Sequence, residues 1–252
     1  MNFKEKVVLI TGGSKGIGKA TAIAFASTGA SVAFTYSSDD NAAQETLSGL
    51  PGKSHLAIKS DIRYSQESKS AVGLVIQKYQ HLDILVNNAG IFIPHPLAES
   101  EFEVWDDAWE TTMAVNLFGA AHMTFFAAKE MIRQGGGRIV NVSSRGAFRG
   151  EPEHPAYGAS KASLNSFSQS MAKALGKYNI YVCAVAPGYV ETPMTHELLK
   201  GQAGIDIRNQ SPLNRVAKPE EIAHAILMLA SEGSEFMTGA ILDVNGASYL
   251  RT

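Results

Sequence analysis

Residues 7–21 read VVLITGGSKGIGKAT. An apolar run, a glycine-rich turn and an alanine-rich helical start form a phosphate-binding arrangement, because free N–H groups and the dipole at a helix N-terminus both favour an anion. Two motifs compete for these letters. Gly13 to Lys19 fits the first seven positions of a triphosphate loop, whose next residue must be Ser or Thr to reach magnesium. Ala20 stands there and Thr21 comes one position late, so that reading fails where the chemistry is strictest. Gly12, Gly16 and Gly18 instead suit a turn around a dinucleotide pyrophosphate, although G-x-x-x-G-x-G is not the commoner G-x-G-x-x-G. A flexible turn that binds nothing is the bland alternative.

The end of the next apolar run tests the dinucleotide reading. An NAD site usually carries an acid there, about twenty residues on, against the ribose 2′-hydroxyl. Tyr36, Ser37 and Ser38 occupy the place. Small hydroxyls together with Lys15 suit a 2′-phosphate, so NADP(H) is favoured, with NAD(H) possible. Asp39 and Asp40 are expected in the first turn of the following helix, with Ser38 as its cap.

The same alternation runs along the chain. Strands are expected at 6–11, 31–36, 55–59, 84–87, 137–142, 180–185 and 240–244, and helices near 18–28, 41–50, 65–80, 104–134, 156–178 and 219–231. Near-continuous apolar strands separated by helices predict an α/β fold, a parallel sheet covered on both faces, in one domain over 1–252. Irregular stretches at 91–103 and 193–218 both follow strands. They should lie at the carboxyl edge, where open α/β sheets bind ligands.

Composition narrows the function classes. The net charge of −2 favours neither nucleic acid nor an anionic membrane surface. Cys183 is the one cysteine, so no intrachain disulfide forms and a reducing compartment fits. It falls in a buried-strand pattern and reads as core. The start, Met1 to Lys6, has no signal-peptide pattern, no apolar run reaches membrane-spanning length, and a cytoplasmic location is expected. The seven histidines lack ligand spacing, so no metal site is expected.

A third stretch carries chemistry. Asn141-Val142-Ser143-Ser144 ends a strand, and Pro155 opens a helix on which Tyr157 and Lys161 stand one turn apart on one face. A phenol titrates near 10 and is a poor base at neutral pH, and a neighbouring ammonium favours phenolate and lowers that value. With a serine hydroxyl to hold a carbonyl oxygen, such a set can protonate a ketone or deprotonate an alcohol while a hydride moves.

Taken together, the chain resembles the short-chain dehydrogenase/reductase family over essentially its whole length. The matching segments are Thr11-Gly12-x-x-x-Gly16-Ile17-Gly18, Asp61-Ile62, Asn87-Asn88-Ala89-Gly90, Asn116, Ser144, Tyr157-x-x-x-Lys161 and Pro187-Gly188-x-Val190-x-Thr192, in the family's order. The resemblance implies a seven-stranded parallel Rossmann sheet. It implies that Gly12, Ser14, Lys15, Gly16 and Ile17 wrap the pyrophosphate and adenosine ribose. Asp61 and Ile62 would contact adenine, Asn88, Ala89 and Gly90 would lie beside the ribose, and Pro187, Gly188, Val190 and Thr192 would hold the nicotinamide end. Tyr157 would be the acid in reduction and the base in oxidation, with Ser144 orienting the carbonyl. Lys161 would bond the nicotinamide ribose and lower the tyrosine pKa, and Asn116 would hold a water relaying protons through Lys161. Family members usually pair through helices equivalent to 104–134 and 156–178, so a homodimer or homotetramer is expected.

Plainer readings exist for several of these positions. Asn116 can simply satisfy backbone, Asp61 can cap a helix, 87–90 can be an ordinary turn, and Thr192-Pro193 can be a loop entry. Trp105 and Trp109, four apart, read as packing. The substrate is the least legible property. Residues 145–155 should wall the site, with two arginines, two glutamates and a histidine. A lid is expected within 195–214, with Met194, Leu198 and Leu199 as apolar cover. Many members of this family reduce 3-oxoacyl groups on acyl carrier protein and carry basic residues just before the Gly-Arg-Ile of the fifth strand. Here Gly135 and Gly136 precede Gly137-Arg138-Ile139. A general carbonyl reductase is therefore the first reading and 3-oxoacyl-carrier reduction the leading specific one. A nucleotide-binding regulator without turnover is the alternative of another class.

Overall fold

The computed structural model describes residues 1–251. Its strands are β1 (Val7–Ile10), β2 (Ser31–Tyr36), β3 (Leu56–Lys59), β4 (Ile84–Asn87), β5 (Gly137–Val142), β6 (Ile180–Pro187) and β7 (Ile241–Val244). All pair in parallel in one sheet, ordered β3-β2-β1-β4-β5-β6-β7. The expected α/β class and the seven expected strands are all present.

β1 shows why its sequence is apolar at every position. Successive strand residues face opposite sides of a sheet. Val8 and Ile10 enter a core with α1 (Gly16–Ser27), α2 (Asp40–Gly49) and α9 (Pro219–Ala230). Val7 and Leu9 enter the opposite core with α3 (Ser65–Tyr79), α5 (Ala120–Gln134) and α7 (Pro155–Leu175). Strand order reverses between β1 and β4, which opens a crevice at the carboxyl ends of these strands.

Four local expectations need correction. The stretch 104–134 is not one α-helix: α4 (Phe102–Met113) passes through a π-helical turn, Ala114–Gly119, into α5. Single π turns inside helices carry an extra residue per turn and often mark functional positions; Asn116 lies in this one. Two short helices were not expected: α6 (Gly146–Arg149) lies in the expected wall 145–155, and α8 (Gly201–Asn209) lies in the expected lid. Ser38 does not cap α2. That helix begins at Asp40, and the Asp39 carboxylate accepts the Ala42 N–H at 2.9 Å.

Candidate active site

A cleft of about 550 Å³ runs along the carboxyl edge of the sheet. Its floor is the glycine turn. Gly12 (φ +66°) and Gly16 (φ +53°) take left-handed backbone that side chains rarely adopt. A Cβ on Gly18 would sit 2.2 Å from the Gly12 carbonyl oxygen, so the third glycine lets the helix start lie against the turn. No side chain caps α1. Its first-turn N–H groups lack intrahelical acceptors, and Gly16 and Ile17 of that turn line the cleft, which fits a pyrophosphate.

The structure brings almost all the expected residues to this cleft. Gly12, Lys15, Gly16, Ile17, Tyr36, Ser37, Asp61, Ile62, Asn88, Ala89, Gly90, Ser144, Tyr157, Lys161, Pro187, Gly188, Val190 and Thr192 line it. Ser14 instead serves the turn from behind, its carbonyl accepting the Thr46 hydroxyl at 2.9 Å. Ser38 is exposed on the loop before α2. Lys15 forms an ion pair with Asp39, and Tyr36 donates to Asp40 at 3.0 Å. Asp61 binds Arg63 through both carboxylate oxygens and also accepts the Arg63 N–H at 3.1 Å, so it closes its own turn and does not cap α3. The Arg63 guanidinium holds its carboxyl below the usual carboxylate range.

The polar residues of the far wall are buried and bonded. Lys161, 4% exposed, donates to the Val142 carbonyl at 2.8 Å. Burial pulls its pKa down to about 8. Asn116 clamps Ile91: its Oδ1 accepts the Ile91 N–H at 2.8 Å, and its Nδ2 donates to the Ile91 carbonyl at 3.1 Å and to the Ser160 hydroxyl at 3.1 Å. The plain backbone-satisfying role thus holds for its side chain. A Cβ on Gly90 would meet the Asn116 Oδ1 at 3.3 Å and the Lys161 Nζ at 3.4 Å, so this position keeps a cradle clear beside the lysine.

Tyr157 departs from one expectation. Lying deep in the cleft wall, its phenol is pushed up to about 12 by burial, while a hydrogen bond with Ser144 opposes the rise. The lysine does not override burial, because its ammonium is committed to Val142 and lies 5.7 Å from the tyrosine ring centroid. The Ser144 hydroxyl accepts the Gly146 N–H at 3.0 Å, which fixes its oxygen at the end of β5.

Phe92 escapes sequence reading, while Arg145 and Glu151 come from the expected wall 145–155. Phe92 stacks on His154 at 3.5 Å between ring centroids and meets Tyr157 edge-on at 4.6 Å. Arg145 is buried at 3% exposure. It donates to Gln210 at 2.6 Å and lies over the Tyr189 ring, tying the serine loop to the end of α8. Glu151 lines the cleft and pairs with Arg149 at 3.2 Å. No motif marks these positions; only the 145–155 window contains two of them. On the lid side Met194 lines the cleft, whereas Leu198 and Leu199 are half-buried. Trp105 and Trp109 pack on each other at 5.4 Å, and Cys183 is core. Among the described residues no helix is long and apolar enough to cross a membrane.

The chain is similar to known proteins over nearly its whole length. A family model described as enoyl-(acyl carrier protein) reductase matches residues 12–247. The 3-oxoacyl-[acyl-carrier-protein] reductase FabG of Thermotoga maritima is 41% identical over 248 residues, spanning 98% of each chain. The L-rhamnose 1-dehydrogenase (NAD(P)(+)) of a Sphingomonas species is 37% identical over 252 residues, again spanning 98% of each. A crystal structure of a 3-ketoacyl-(acyl-carrier-protein) reductase from Brucella melitensis complexed with NADH superposes with a TM-score of 0.89. The two chains are 31% identical, and the match covers 99% of this chain and 100% of that one.

Proposed function

Because the chain belongs to the short-chain dehydrogenase/reductase family, as an NAD(P)-dependent oxidoreductase of CH–OH and keto groups, we propose that it reduces a ketone to a secondary alcohol with NADPH. The observation that carries this reading is the meeting of Ser144, Tyr157 and Lys161 on one wall of the cleft whose floor is the glycine turn. Ser144 holds the carbonyl oxygen. Tyr157 gives that oxygen its proton in reduction and removes it in oxidation. The nicotinamide, when bound, supplies or accepts the hydride. Lys161 bonds its ribose, and Asn116 holds the water through which Lys161 is reprotonated. Gly12, Lys15, Gly16 and Ile17, which line the cleft, hold the pyrophosphate and adenosine ribose, and Ser14 supports the turn from behind. Asp61 and Ile62 hold adenine, Asn88, Ala89 and Gly90 the ribose, and Pro187, Gly188, Val190 and Thr192 the nicotinamide end.

NADPH is preferred because the residues that line the cleft at the end of β2, Tyr36 and Ser37, carry no carboxylate. Lys15 stands half-exposed beside them, free to exchange Asp39 for a 2′-phosphate. Titration with NADPH and NADH, followed by nicotinamide fluorescence, tests this: tight NADPH and weak NADH are expected. Tighter NADH overturns the phosphate site, and binding of neither overturns the enzyme reading. Tyr157→Phe should abolish turnover and leave the cofactor Kd nearly unchanged. A biological activity surviving that change would favour the regulator.

A second reading, 3-oxoacyl-carrier reduction, is favoured by the 41% identity to the Thermotoga enzyme over the whole chain. Against it, in the stretch Arg133-Gln134-Gly135-Gly136 before the fifth strand, a possible basic carrier-binding position is glycine, which weakens that reading without excluding it. Small ketones are expected within tenfold of carrier-bound substrates in kcat/KM, and a larger preference for the carrier would reverse the order of the two readings. A cytoplasmic homodimer or homotetramer completes the proposal. Phe102, Val104, Phe118 and Phe125 are exposed apolar side chains on α4, the π turn and α5, suited to pairing. A monomer mass by light scattering would refute the assembly.

A further inference from the structure

The helix that carries Tyr157 and Lys161 starts without a side-chain cap of its own. His154 stands at its N-cap position and makes no cap hydrogen bond, and Pro155 follows as its first residue. Proline has no N–H, and the N–H groups of Tyr157 and Gly158 both reach the His154 carbonyl, at 3.0 and 3.3 Å. That leaves the N–H of Ala156, a residue with no exposed surface, directly before the tyrosine. Its acceptor comes from 61 residues earlier in the chain. The Nε2 of His95 lies 3.1 Å from it.

The rest of the His95 environment fixes which ring nitrogen accepts. Its Nδ1 lies 2.8 Å from the Ile93 carbonyl, which only accepts, so Nδ1 carries the proton and Nε2 presents a lone pair. The main-chain N–H of His95 donates to the Glu153 carbonyl at 2.9 Å, a second tie to the same helix entry. His95 is 1% exposed, and its ring meets Trp109 of α4 edge-on at 6.4 Å. Between Asn116, which clamps Ile91, and His95, which clamps Ala156, the segment carries Phe92 against Tyr157 at 4.6 Å.

We infer that His95 is a positioning residue for the acid–base step: as the neutral Nδ1–H tautomer it caps α7 at Ala156 and so sets the position of the Tyr157 hydroxyl. The inference rests on Tyr157 being the acid and base of the proposed reaction. His95 touches neither substrate nor cofactor; it acts through the helix start. An interior histidine otherwise reads as packing, but a packing role needs only shape, whereas this one needs an acceptor at the Nε2 place.

Three variants separate the two roles. In His95→Gln the side-chain oxygen can reach the Nε2 place and accept from Ala156. In His95→Asn the shorter amide reaches only the Nδ1 place and keeps the local bond to Ile93. In His95→Leu the bulk stays and both bonds go. kcat for ketone reduction should fall about tenfold to a hundredfold in the Asn and Leu variants, the scale on which small misplacements of reacting groups act. The Gln variant should stay within about threefold of the parent. NADPH Kd should change little in all three. Amide hydrogen exchange, read on peptides spanning Ala156, should quicken in Asn and Leu and not in Gln. Equal kcat in Asn and Gln, or a drop in kcat that tracks lost cofactor binding, overturns the inference. If the Leu variant does not fold, the Asn and Gln pair still decides. If the unaltered protein reduces no ketone, the function reading fails by itself, and exchange at Ala156 still tells whether the histidine caps the helix.

Discussion

Lys161 should make the protein less stable at neutral pH than a neutral residue of its size would. Its ammonium is 4% exposed, and burial lowers its pKa from 10.5 to about 8. The sign follows from linkage. Below pH 8 both folded and unfolded chains hold the proton, and the cost of burying the charge is present in full. Between pH 8 and 10.5 the folded chain has lost the proton and the unfolded chain still binds it, so stability rises with pH across this window. Above it neither state is charged and the cost is gone. A shift of about 2.5 units corresponds to about 3 kcal/mol at 1.36 kcal/mol per unit. Lys161→Met keeps the volume and removes the charge. It also removes the 2.8 Å bond to Val142, worth about 1 kcal/mol at every pH. The variant should therefore be more stable than the parent at pH 7, by about 2 kcal/mol. Its advantage should shrink steadily from pH 8 and reverse to a deficit of about 1 kcal/mol near pH 10.5. Urea unfolding of both proteins at pH 7, 8, 9 and 10 measures the difference. Keeping to pH 10 avoids Tyr157, whose raised pKa takes stability away only above about 10. Parallel stability curves, or an advantage that grows with pH, would refute the reasoning, whatever the offset between them.

Asn141→Ala should cost about 2–4 kcal/mol, because it strips a bond from Asn87 (2.8 Å) and one from Ser168 (2.7 Å) inside a buried network; calorimetry should show Tm lower by roughly 5–15 °C. Lys15→Ala should raise the NADPH Kd about tenfold and the NADH Kd less than threefold, since a charged hydrogen bond to phosphate is lost from one cofactor only. Asp39→Asn, which can still cap α2, frees Lys15 from its ion pair and should tighten NADPH a few-fold in the same titration.

The fold was legible wherever a residue's neighbours in sequence determine its surroundings. β1, β2 and β4 are mainly apolar runs bounded by turn residues, and their burial on both faces leaves little freedom in reading them. The π turn at Ala114–Gly119 was not legible, because its surroundings are remote in sequence: Gly119 faces Ile62, whose side chain would lie 2.6 Å from a Cβ there, and Asn116 reaches back to Ile91. The positions of Ser144, Tyr157 and Lys161 followed from strand end and helix start. The phenol's pKa did not, because a one-turn spacing says that two side chains are neighbours and nothing about where the ammonium's bond goes. His95, Phe92 and Arg145 carry no local signature. Each gains its meaning from a segment that only the folded chain brings near.

The tetrapeptide Asn87-Asn88-Ala89-Gly90 shows how one short stretch can tie both ends of such a site together. Asn87 donates to Asn141 and to Thr124 at 3.0 Å, fixing the end of β4 to β5 and α5. Asn88 donates to the carbonyls of Thr11 and Gly12 at 2.9 and 3.1 Å, so the glycine turn is held from the β4 side. Ala89 takes the Thr11 hydroxyl through its N–H at 2.9 Å, and its Cα lies 3.0 Å from where a Gly12 Cβ would be, so neither place has room to grow. Gly90 leaves space beside Lys161 and Asn116. An ordinary turn would need none of these bonds. On the proposed function, Asn88 would act on cofactor binding through the backbone it holds: losing its two bonds would loosen the turn proposed to present Gly16 and Ile17 to the pyrophosphate, while leaving Ser144, Tyr157 and Lys161 in place.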